Sequence, residues 1–569
     1  MGVGGVTEFG TAETARHNHI SRSEWSFAVL IAVLLTAFLQ VPYALGYALA
    51  RPGTEFTGLL INVEDASYLS GIGQGIEGAW QYRLLFTTED HSPAFIEVFY
   101  LVLGHLARGL NLSAVAMWHA ARIVADFVLV LVTFGFIAHW IDSPQQRRVA
   151  LLLAVLSAGL DLWRFPFDPA NLFEAIPIDL HIPEAHLFYS ALTYPHFAVG
   201  ISLVLITFWL LLQTMLAREP SPRRWMFALG AALGNILIGI VYPFLIFLMA
   251  TVIGAFALFL VWREKRILWR EGAMLFIAFA IPAPLFLYYQ IELATNPVLR
   301  AWNEQAVTLS PNPIHYLLAY APLLPFAVLA WFSVRRIDED RKRRMIFLWI
   351  WVCAVSLLLY TPVTQQRRFV EGVQVPLAIL AAVGLFDVVL PRLRQSRVFA
   401  TISQRPGYSG EGLQQLLLVG LILLASLTSL SVWLSSVALL AVEQPYPLFR
   451  PIEEMQAMDW LRNHSAHTES IFSSYWTGSF LPSRSAYPVF VGHRYETIHF
   501  DEKRRESEQF FDAATADAWR EQLLRENRIA FVFWGRGERD LGSFAPERAA
   551  YLRPVFANDM VRIYRVVPQ

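Results

Sequence analysis

Two neighbouring carboxylates, Glu64 and Asp65, are the residues of this sequence best placed to act as a general base. They open a helical pattern whose apolar face returns at every fourth position, at Tyr68, Ile72, Ile76 and Trp80. This spacing puts the four side chains on one face, and we expect the helix to lie in a membrane interface with its aromatic side chains in the bilayer edge. The carboxylates would then face a bound headgroup. Alternatively they only cap the helix, because its dipole favours acidic residues in the first turn.

A pair of arginines, Arg367 and Arg368, is the best candidate for binding an anion. It is the only basic pair on the external side of the spans predicted below, directly at the end of one of them. Arginine suits this role because its planar guanidinium group holds phosphate oxygens with two parallel hydrogen bonds. The competing interpretation is general anchoring to the phosphates of membrane lipids.

A second polar segment, residues 164–195, supplies further candidates. Its acidic and histidine residues are Asp168, Glu174, Asp179, His181, Glu184 and His186, and His196 follows just beyond. We single out Glu184 and His196 as candidate substrate-binding residues. His181, Glu184 and His186 could approach a metal ion, but their spacing matches no zinc signature, so a hydrogen-bonded loop is the preferred interpretation. We expect no cofactor and leave a divalent cation open.

The composition places these side chains in a membrane protein. Of 569 residues, 55% are hydrophobic and only 16% are charged, whereas soluble chains carry about 25% charged residues. The net charge of −1 argues against a nucleic-acid partner. Apolar runs near the ~20 residues that cross a bilayer recur along the first three quarters of the chain. They predict about eleven transmembrane helices, at 25–48, 114–140, 149–163, 196–216, 225–241, 243–262, 272–291, 314–334, 345–360, 372–390 and 415–440.

The distribution of Lys and Arg predicts the orientation of these helices. One alternating set of loops is rich in basic residues, at 147–148, 223–224, 263–266, 335–344 and 392–405. We take this set as cytoplasmic, so the N-terminus is inside the cell, and the loop 51–113 and everything after residue 440 are outside. The N-terminal segment is then a cytoplasmic leader rather than a signal peptide. This topology requires the apolar stretch 93–110 to lie along the membrane surface and not to cross it.

The last 130 residues change character. Amphipathic helix patterns at 452–461 and 513–526 alternate with β-rich runs at 470–475, 529–534 and 560–567. That order predicts a small extracytoplasmic α/β domain at 441–569, after a transmembrane domain at 1–440. Cys353 is the only cysteine, so no disulfide within the chain stabilises this domain. The cluster 492–497 would contact substrate or dock the domain on the membrane part.

The order of these features resembles the GT-C glycosyltransferases, in particular the protein O-mannosyltransferases and the lipid A aminoarabinose transferases. In those relatives a first span precedes an external loop that begins with Asp-Glu and has a tyrosine three residues later. Here Glu64-Asp65 and Tyr68 keep that spacing with the acids exchanged, so which carboxylate is the base stays open. The helix after Pro93 and the following span, with His119 and Arg122, match the relatives' proline-led helix and the arginine that follows it.

The resemblance implies an inverting transfer from a polyprenyl-phosphate sugar donor to an acceptor that the sequence does not identify. Glu64 or Asp65 would be the base, which typically contributes ~10²–10⁴-fold, and Arg367-Arg368 would stabilise the leaving phosphate. Tyr68, Arg122 and His119 join the candidate substrate-binding residues. Arg122 has an alternative role, because Asp126 lies one turn further on and the two could form a structural ion pair inside the span.

Two other classes of protein remain as alternatives. An O-antigen ligase or polymerase would place its long functional loop late among the spans, whereas here the acidic loop comes first. A transporter would show inverted repeats and interrupted helices with charges at the bilayer midplane, and the sequence displays neither pattern. The favoured prediction is therefore a polytopic α-helical membrane enzyme with a GT-C-like architecture in the plasma or inner membrane.

Overall fold

The computed structural model describes residues 20–163, 176–216, 222–334, 339–405, 407–464 and 469–567. Three sets of predictions fall outside this part of the chain: nearly all of the N-terminal leader, the side chains of Asp168 and Glu174, and the basic residues at 335–336.

Helices dominate the described chain up to residue 443. In chain order they are α1 (Arg22–Ala48), α2 (Ala66–Ile76), α3 (Val98–Leu110), α4 (Ala114–Trp140), α5 (Pro144–Leu156), α6 (Ile178–His181), α7 (Leu187–Thr193), α8 (Pro195–Leu216), α9 (Arg223–Val241), α10 (Leu245–Glu264), α11 (Trp269–Ala280), α12 (Ala283–Thr295), α13 (Pro297–Gln305), α14 (Pro313–Ala319), α15 (Leu324–Val334), α16 (Glu339–Leu358), α17 (Gln374–Gly384), α18 (Leu390–Arg394), α19 (Arg397–Ser403), α20 (Gly410–Ala425) and α21 (Leu427–Ala438). Short 3₁₀ helices at Val63–Asp65, Pro183–Ala185 and Gln366–Val370 lie between them.

Six of the helices in the described ranges are long and apolar enough to cross a membrane: α1, α4, α8, α9, α10 and the continuous stretch Gln366–Arg394. Three bent pairs, α11–α12, α14–α15 and α20–α21, raise the number to nine if each is one broken span. The other two predicted spans correspond to α5, which has only 13 residues, and α16, which begins with a run of charged residues. A polytopic membrane protein is confirmed, and the count of eleven spans stays a prediction.

The two helices predicted in the first loop, α2 and α3, pack directly on each other. They approach so closely at Gly75 and Gly104 that a β-carbon on either glycine would lie 2.2 Å from a carbonyl oxygen of the facing helix. Ile72 is completely buried, and Tyr68 stacks on an aromatic ring of α3 at a centroid distance of 4.7 Å. The helices α3 and α4 therefore cover the first part of the apolar face, at Tyr68 and Ile72, whereas Trp80 at its end is 57% exposed. That this face lies in the bilayer edge stays a prediction.

The length of α3 agrees with the prediction that 93–110 does not cross the membrane. Its 13 residues make a helix about 20 Å long, which is shorter than the ~30 Å of the hydrocarbon core. The helix begins later than the expected start directly after Pro93. Residue 94 first forms a β-bridge with residue 82, and α3 begins at Val98.

Two short strands join the first loop to the C-terminal segment. β1 (Thr54–Phe56) pairs antiparallel with β2 (Phe449–Pro451), which follows the last membrane helix. Arg484 reinforces this junction, because its guanidinium group binds Asp459 at 2.7 and 2.8 Å and Glu55 at 2.6 Å. The first loop, which carries the acidic pair, is thus attached both to the first membrane helix by the chain and to the segment after the last one by strand pairing.

The C-terminal segment contains the predicted mixture of helices and strands. Its helices are α22 (Ile452–His464), α23 (Tyr475–Gly478), α24 (Leu481–Ser485), α25 (Phe500–Phe511), α26 (Asp517–Glu526) and α27 (Arg536–Arg539), and its strands are β3 (Ser470–Phe472), β4 (Ile529–Trp534), β5 (Leu552–Ala557) and β6 (Arg562–Val566). The sheet order is β3-β4-β6-β5, with β3 parallel to β4 and the other pairs antiparallel. An aromatic cluster of its own, with Phe472, Phe490, Phe510 and Phe511, packs against this sheet. The domain boundary at residue 441 stays a prediction.

Candidate active site

The acidic pair stands in the 3₁₀ turn that leads into α2. The side chain of Asn62 accepts a hydrogen bond from the backbone N–H of Glu64 at 3.1 Å, and the carboxylate of Asp65 accepts one from the backbone N–H of Asn62 at 3.3 Å. This reciprocal arrangement is a capping box. The capping interpretation is therefore correct for one oxygen of Asp65, which leaves its second oxygen for another partner.

Glu64 is turned toward the C-terminal segment. One oxygen of its carboxylate, Oε1, accepts hydrogen bonds from the hydroxyl of Tyr475 at 2.8 Å and from the backbone N–H of Arg494 at 2.7 Å. The residue is 9% exposed. These contacts use Glu64 to hold the first loop against the C-terminal segment, so it has little freedom to serve as a base.

Asp65 is turned toward the membrane region. Its Oδ1 atom accepts a hydrogen bond from the hydroxyl of Tyr194 at 2.9 Å, and the carboxylate is only partly covered. Burial among aromatic rings raises the pKa of Asp65 to about 7, although the hydrogen bonds from Tyr194 and Asn62 act in the opposite direction. A carboxylate with this pKa is suited to accept a proton near neutral pH.

A continuous set of aromatic side chains, which we call the aromatic wall, runs from Asp65 to the arginine pair. Tyr194 lies next to His196 with the ring centroids 5.5 Å apart, and Tyr68 packs on the same histidine at 5.2 Å. His196 in turn lies 5.6 Å from Tyr242, over whose ring the guanidinium carbon of Arg368 sits at 5.8 Å. The structure thus brings the predicted residues Asp65, Tyr68, His196 and Arg368 to one end of the membrane helices.

The arginine pair is held by a buried carboxylate. Glu184 Oε1 lies 3.1 Å from Arg368 Nη1 and 3.5 Å from Arg367 Nε, and Arg367 also contacts His181 at 3.0 Å. Glu184 is 1% exposed, whereas the arginine side chains remain 15% and 23% exposed. Glu184, predicted to bind substrate, is thus paired with both arginines, and the exposed parts of the two guanidinium groups keep hydrogen-bond donors for an anion.

Arg122 and His119 are engaged with other parts of the protein. Arg122 is completely buried and donates to the backbone carbonyl of Leu192 at 2.9 Å and to Gln40 at 2.5 Å. His119 contacts the hydroxyl of Tyr47 at 3.1 Å. Arg122 has no accessible surface for a substrate, and its guanidinium group instead binds the carbonyl of Leu192 near the end of α7. The role predicted for His119 stays a prediction.

The alternative role predicted for Arg122, an ion pair with Asp126, is not formed as a direct contact, although the charge of Arg122 acts on the buried Asp126. No ion pair between Arg122 and Asp126 lies within 4 Å in the described residues, and neither carboxylate oxygen of Asp126 has a hydrogen-bond partner there. The guanidinium group instead stacks over the ring of Tyr43 at 3.7 Å.

The histidines of the second loop do not converge on one point. His186 pairs with Asp179 at 3.0 Å, and His181 and Glu184 are engaged with the arginine pair. Across the described ranges, no group of three or more His, Cys, Asp or Glu side chains is arranged to hold a metal ion.

Several site residues were not predicted. Tyr194 and Tyr242 depend on contacts made by distant helices, although Tyr194 stands two residues before the predicted His196. Glu97 has a left-handed backbone, burial raises its pKa to about 7, and its charge acts on the hydroxyl of Tyr68. Glu496 accepts from the hydroxyl of Tyr82 at 2.9 Å, and burial raises its pKa to about 8. In the sequence, only its position in the cluster 492–497 drew attention to Glu496.

No protein-family model matches the sequence, and no curated protein sequence matches it. Solved structures match at the level of the fold. ArnT from Cupriavidus metallidurans, bound to undecaprenyl phosphate, is 12% identical with a TM-score of 0.54, over 96% of this chain and 100% of that chain. The apo oligosaccharyltransferase of Archaeoglobus fulgidus is 12% identical with a TM-score of 0.53, over 93% of this chain and 73% of that chain. The mycobacterial arabinofuranosyltransferase AftD is 15% identical with a TM-score of 0.52, over 97% of this chain but only 40% of that chain.

Proposed function

Because the chain has the fold of the GT-C glycosyltransferases, we propose that it transfers a sugar from a polyprenyl-phosphate carrier to an acceptor hydroxyl. The observation that carries this proposal is the position of Asp65 and Arg368 at the two ends of one aromatic wall. A carboxylate and a guanidinium group in this relation suit a reaction that removes a proton at one point and releases a phosphate at another. The undecaprenyl phosphate bound to ArnT supports a carrier of this class.

Asp65 is the proposed base. It takes the proton of the acceptor hydroxyl while the hydroxyl oxygen attacks C1 of the sugar from the face opposite the phosphate. The bond between C1 and the phosphate oxygen breaks, so the configuration at C1 inverts and the polyprenyl phosphate leaves with the bonding electrons. The contacts of Glu64 with Tyr475 and the backbone of Arg494 favour Asp65 over Glu64 for this role.

Arg367 and Arg368 are the proposed binding groups for the leaving phosphate. Because Glu184 holds both arginines before substrate arrives, little reorganisation is needed when negative charge develops on the phosphate, and preorganised charge of this kind is a large contribution to catalysis. The exposed parts of the two guanidinium groups can form paired hydrogen bonds to phosphate oxygens. Tyr68 and His196 line the wall between the two groups and would contact the sugar.

The reaction would take place on the extracytoplasmic face. This side follows from the distribution of basic residues in the sequence, and the acidic pair, the arginine pair and the C-terminal segment all lie at the same end of the membrane helices. The donor sugar and the acceptor are not specified by any contact of the described residues.

The decisive experiment measures sugar transfer by the purified protein in nanodiscs that contain a polyprenyl-phosphate sugar donor. Asp65→Asn keeps the shape of the side chain and its hydrogen bond from Tyr194 but removes the base, so transfer should fall by ~10²–10⁴-fold. Asp90→Asn is the matched control, since Asp90 lies in the same loop and is 73% exposed, and it should leave transfer unchanged. Full activity of Asp65→Asn would reject the assignment of the base, and failure of the native protein with every polyprenyl-phosphate donor would reject the function.

A further inference from the structure

A cavity of about 1080 Å³ lies at the end of the membrane helices opposite the candidate active site. The ends of α8, α10, α4, α9, α11 and α16 surround it, and its lining includes His139, Arg224, Glu264, Arg270, Glu271 and Arg344. Its volume is slightly above the range of about 300–1,000 Å³ that small-molecule sites occupy. A second cavity of about 910 Å³ shares His139, Gln213 and Arg344 with it and extends between the apolar faces of α1, α4 and α8.

The lining of this cavity is strongly positive. Among the described residues, five arginines and two glutamates face it, which leaves an excess of three positive charges in that set. Both glutamates are already paired: Glu271 binds Arg224 at 2.6 Å, and Glu264 binds Arg343 at 3.2 Å. The accumulation of basic residues in cytoplasmic loops accounts for their presence on this side, but it does not account for their convergence on one concave surface.

Two of the arginines have no partner of their own. Within the described ranges, neither Arg270 nor Arg344 has a carboxylate within 4 Å or a side-chain hydrogen bond. The buried Nε2 atom of His139 and the buried Nε atom of Arg343 also lack partners in this part of the chain. The cavity therefore holds several polar atoms, on Arg270, Arg343, Arg344 and His139, that have no hydrogen-bond partner in the part of the chain that the structure describes.

An apolar, aromatic surface continues from the cavity into the membrane. Trp269 lines the cavity and is largely exposed, and Trp262 and Leu258 on α10 and Phe276 on α11 are exposed as well. Tryptophan is favoured at the level of lipid headgroups. This combination of a positive pocket with an adjoining lipid-facing surface matches the two parts of a phospholipid.

We propose that this cavity is a binding site for the phosphate headgroup of an anionic phospholipid of the cytoplasmic leaflet. The headgroup phosphate would accept hydrogen bonds from Arg270 and Arg344, and the acyl chains would lie along the exposed faces of α10 and α11. Basic pockets between membrane helices on this side recognise anionic headgroups in this way. The proposal does not depend on the proposed transfer reaction, since the cavity lies at the other end of the helices.

The test compares the purified protein in nanodiscs of phosphatidylcholine alone and of phosphatidylcholine mixed with phosphatidylglycerol. Phosphatidylglycerol should raise Tm, and titrated phosphatidylglycerol should bind with an affinity that falls about 25-fold in the double variant Arg270→Gln/Arg344→Gln, roughly fivefold for each charge. The matched control is Arg397→Gln/Arg405→Gln, which removes two exposed charges from the loop region 392–405 outside the cavity. The control should change the affinity by less than about twofold.

Each outcome decides the proposal. Equal losses in the two double variants would mean general attraction to a negative membrane and would overturn a specific site. Absence of any preference of the native protein for phosphatidylglycerol would overturn it as well. Inorganic phosphate in a phosphatidylcholine nanodisc serves as the last probe: if it raises Tm as much as phosphatidylglycerol does, the site binds a free anion and the lipid assignment is wrong. Arg270 is exposed, so Arg270→Gln alone gives a readout even if the double variant fails to fold.

Discussion

Tyr475 donates its hydroxyl to Glu64 at 2.8 Å, so the residue next to the candidate base is fixed by a side chain 411 positions later in the chain. The backbone N–H of Arg494 donates to the same carboxylate oxygen at 2.7 Å. Two adjacent acids therefore have separate roles: Glu64 joins the first loop to the C-terminal segment, and Asp65 is left to face the aromatic wall.

Glu64→Gln should retain most of the transfer activity, because the amide oxygen still accepts from Tyr475 and Arg494. Glu64→Ala removes that acceptor and should lower the free energy of unfolding by about 1–3 kcal/mol, since two donors lose their partner. Transfer assays and thermal unfolding in nanodiscs measure the two effects, with Glu77→Ala as an exposed control from the same loop. If Glu64→Gln is as inactive as Asp65→Asn, the division of roles is wrong.

The rate of transfer should rise with pH through about 7, because Asp65 must be ionised to accept a proton and burial raises its pKa to about 7. Tyr194→Phe removes a hydrogen bond that favours the ionised form, so the pKa of Asp65 should rise further and the rising limb of kcat/KM should move to higher pH. Tyr360→Phe is the control, as its hydroxyl donates to the backbone carbonyl of Pro311 and not to an acid. If the rising limb of kcat/KM against pH stays in place in Tyr194→Phe, or moves to lower pH, Asp65 is not the titrating base.

Arg368→Gln should lower kcat/KM by about 10²–10³-fold, the usual cost of removing one group that stabilises developing negative charge. Arg368→Lys should recover only part of this loss, because lysine supplies the charge without the planar pair of donors. Arg528→Gln, at a site 79% exposed in the C-terminal segment, should behave as the native protein. Steady-state kinetics with a lipid-phosphosugar decide the matter, and equal activity of Arg368→Gln and Arg528→Gln would remove Arg368 from the phosphate site.

Gly104→Ala should weaken the packing of α2 on α3, because the added β-carbon would meet the carbonyl oxygen of Ile72 at 2.2 Å. We expect a loss of about 1–3 kcal/mol in the free energy of unfolding, together with a lower transfer rate as the start of α2 and Asp65 shift. Gly109→Ala in the same helix meets no atom within 4 Å and should be neutral or slightly stabilising, since alanine favours helix. Thermal unfolding of the two variants tests this, and similar Tm values would contradict the close approach.

The sequence predicted the helices of this protein better than their surroundings. The spacing of Tyr68, Ile72 and Ile76 correctly indicated a helix after the acidic pair, but the same apolar face fits either lipid or protein. Protein covers Tyr68 and Ile72 here because Gly75 and Gly104 allow α3 to approach, and no local pattern reveals which helix a glycine will face. The β-rich run at 529–534 became β4 with the predicted bounds, whereas β1 and β2 have three residues each and are defined only by pairing with each other.

The candidate site shows the same limit. Residue type identified Asp65 and the arginine pair, because few side chains can accept a proton or hold a phosphate. The roles of Glu64, Glu184 and Arg122 could not be read from type or spacing, since each depends on a partner from a distant part of the chain: Tyr475, the arginine pair and the carbonyl of Leu192. The role of a buried charged side chain depends on its partner, and a single sequence does not show which residue that partner is.

The pairing of β1 with β2 also sets the order in which the protein can be completed during synthesis. Residues 54–56 leave the ribosome almost 400 residues before residues 449–451, an interval of roughly 20–80 s at ordinary rates of translation. Throughout that time the first loop has no partner strand, and Glu64 has neither Tyr475 nor Arg494 to bind. A nascent chain therefore inserts its membrane helices while its first loop is still incomplete, and the loop can close only after the C-terminal segment has reached the same side of the membrane.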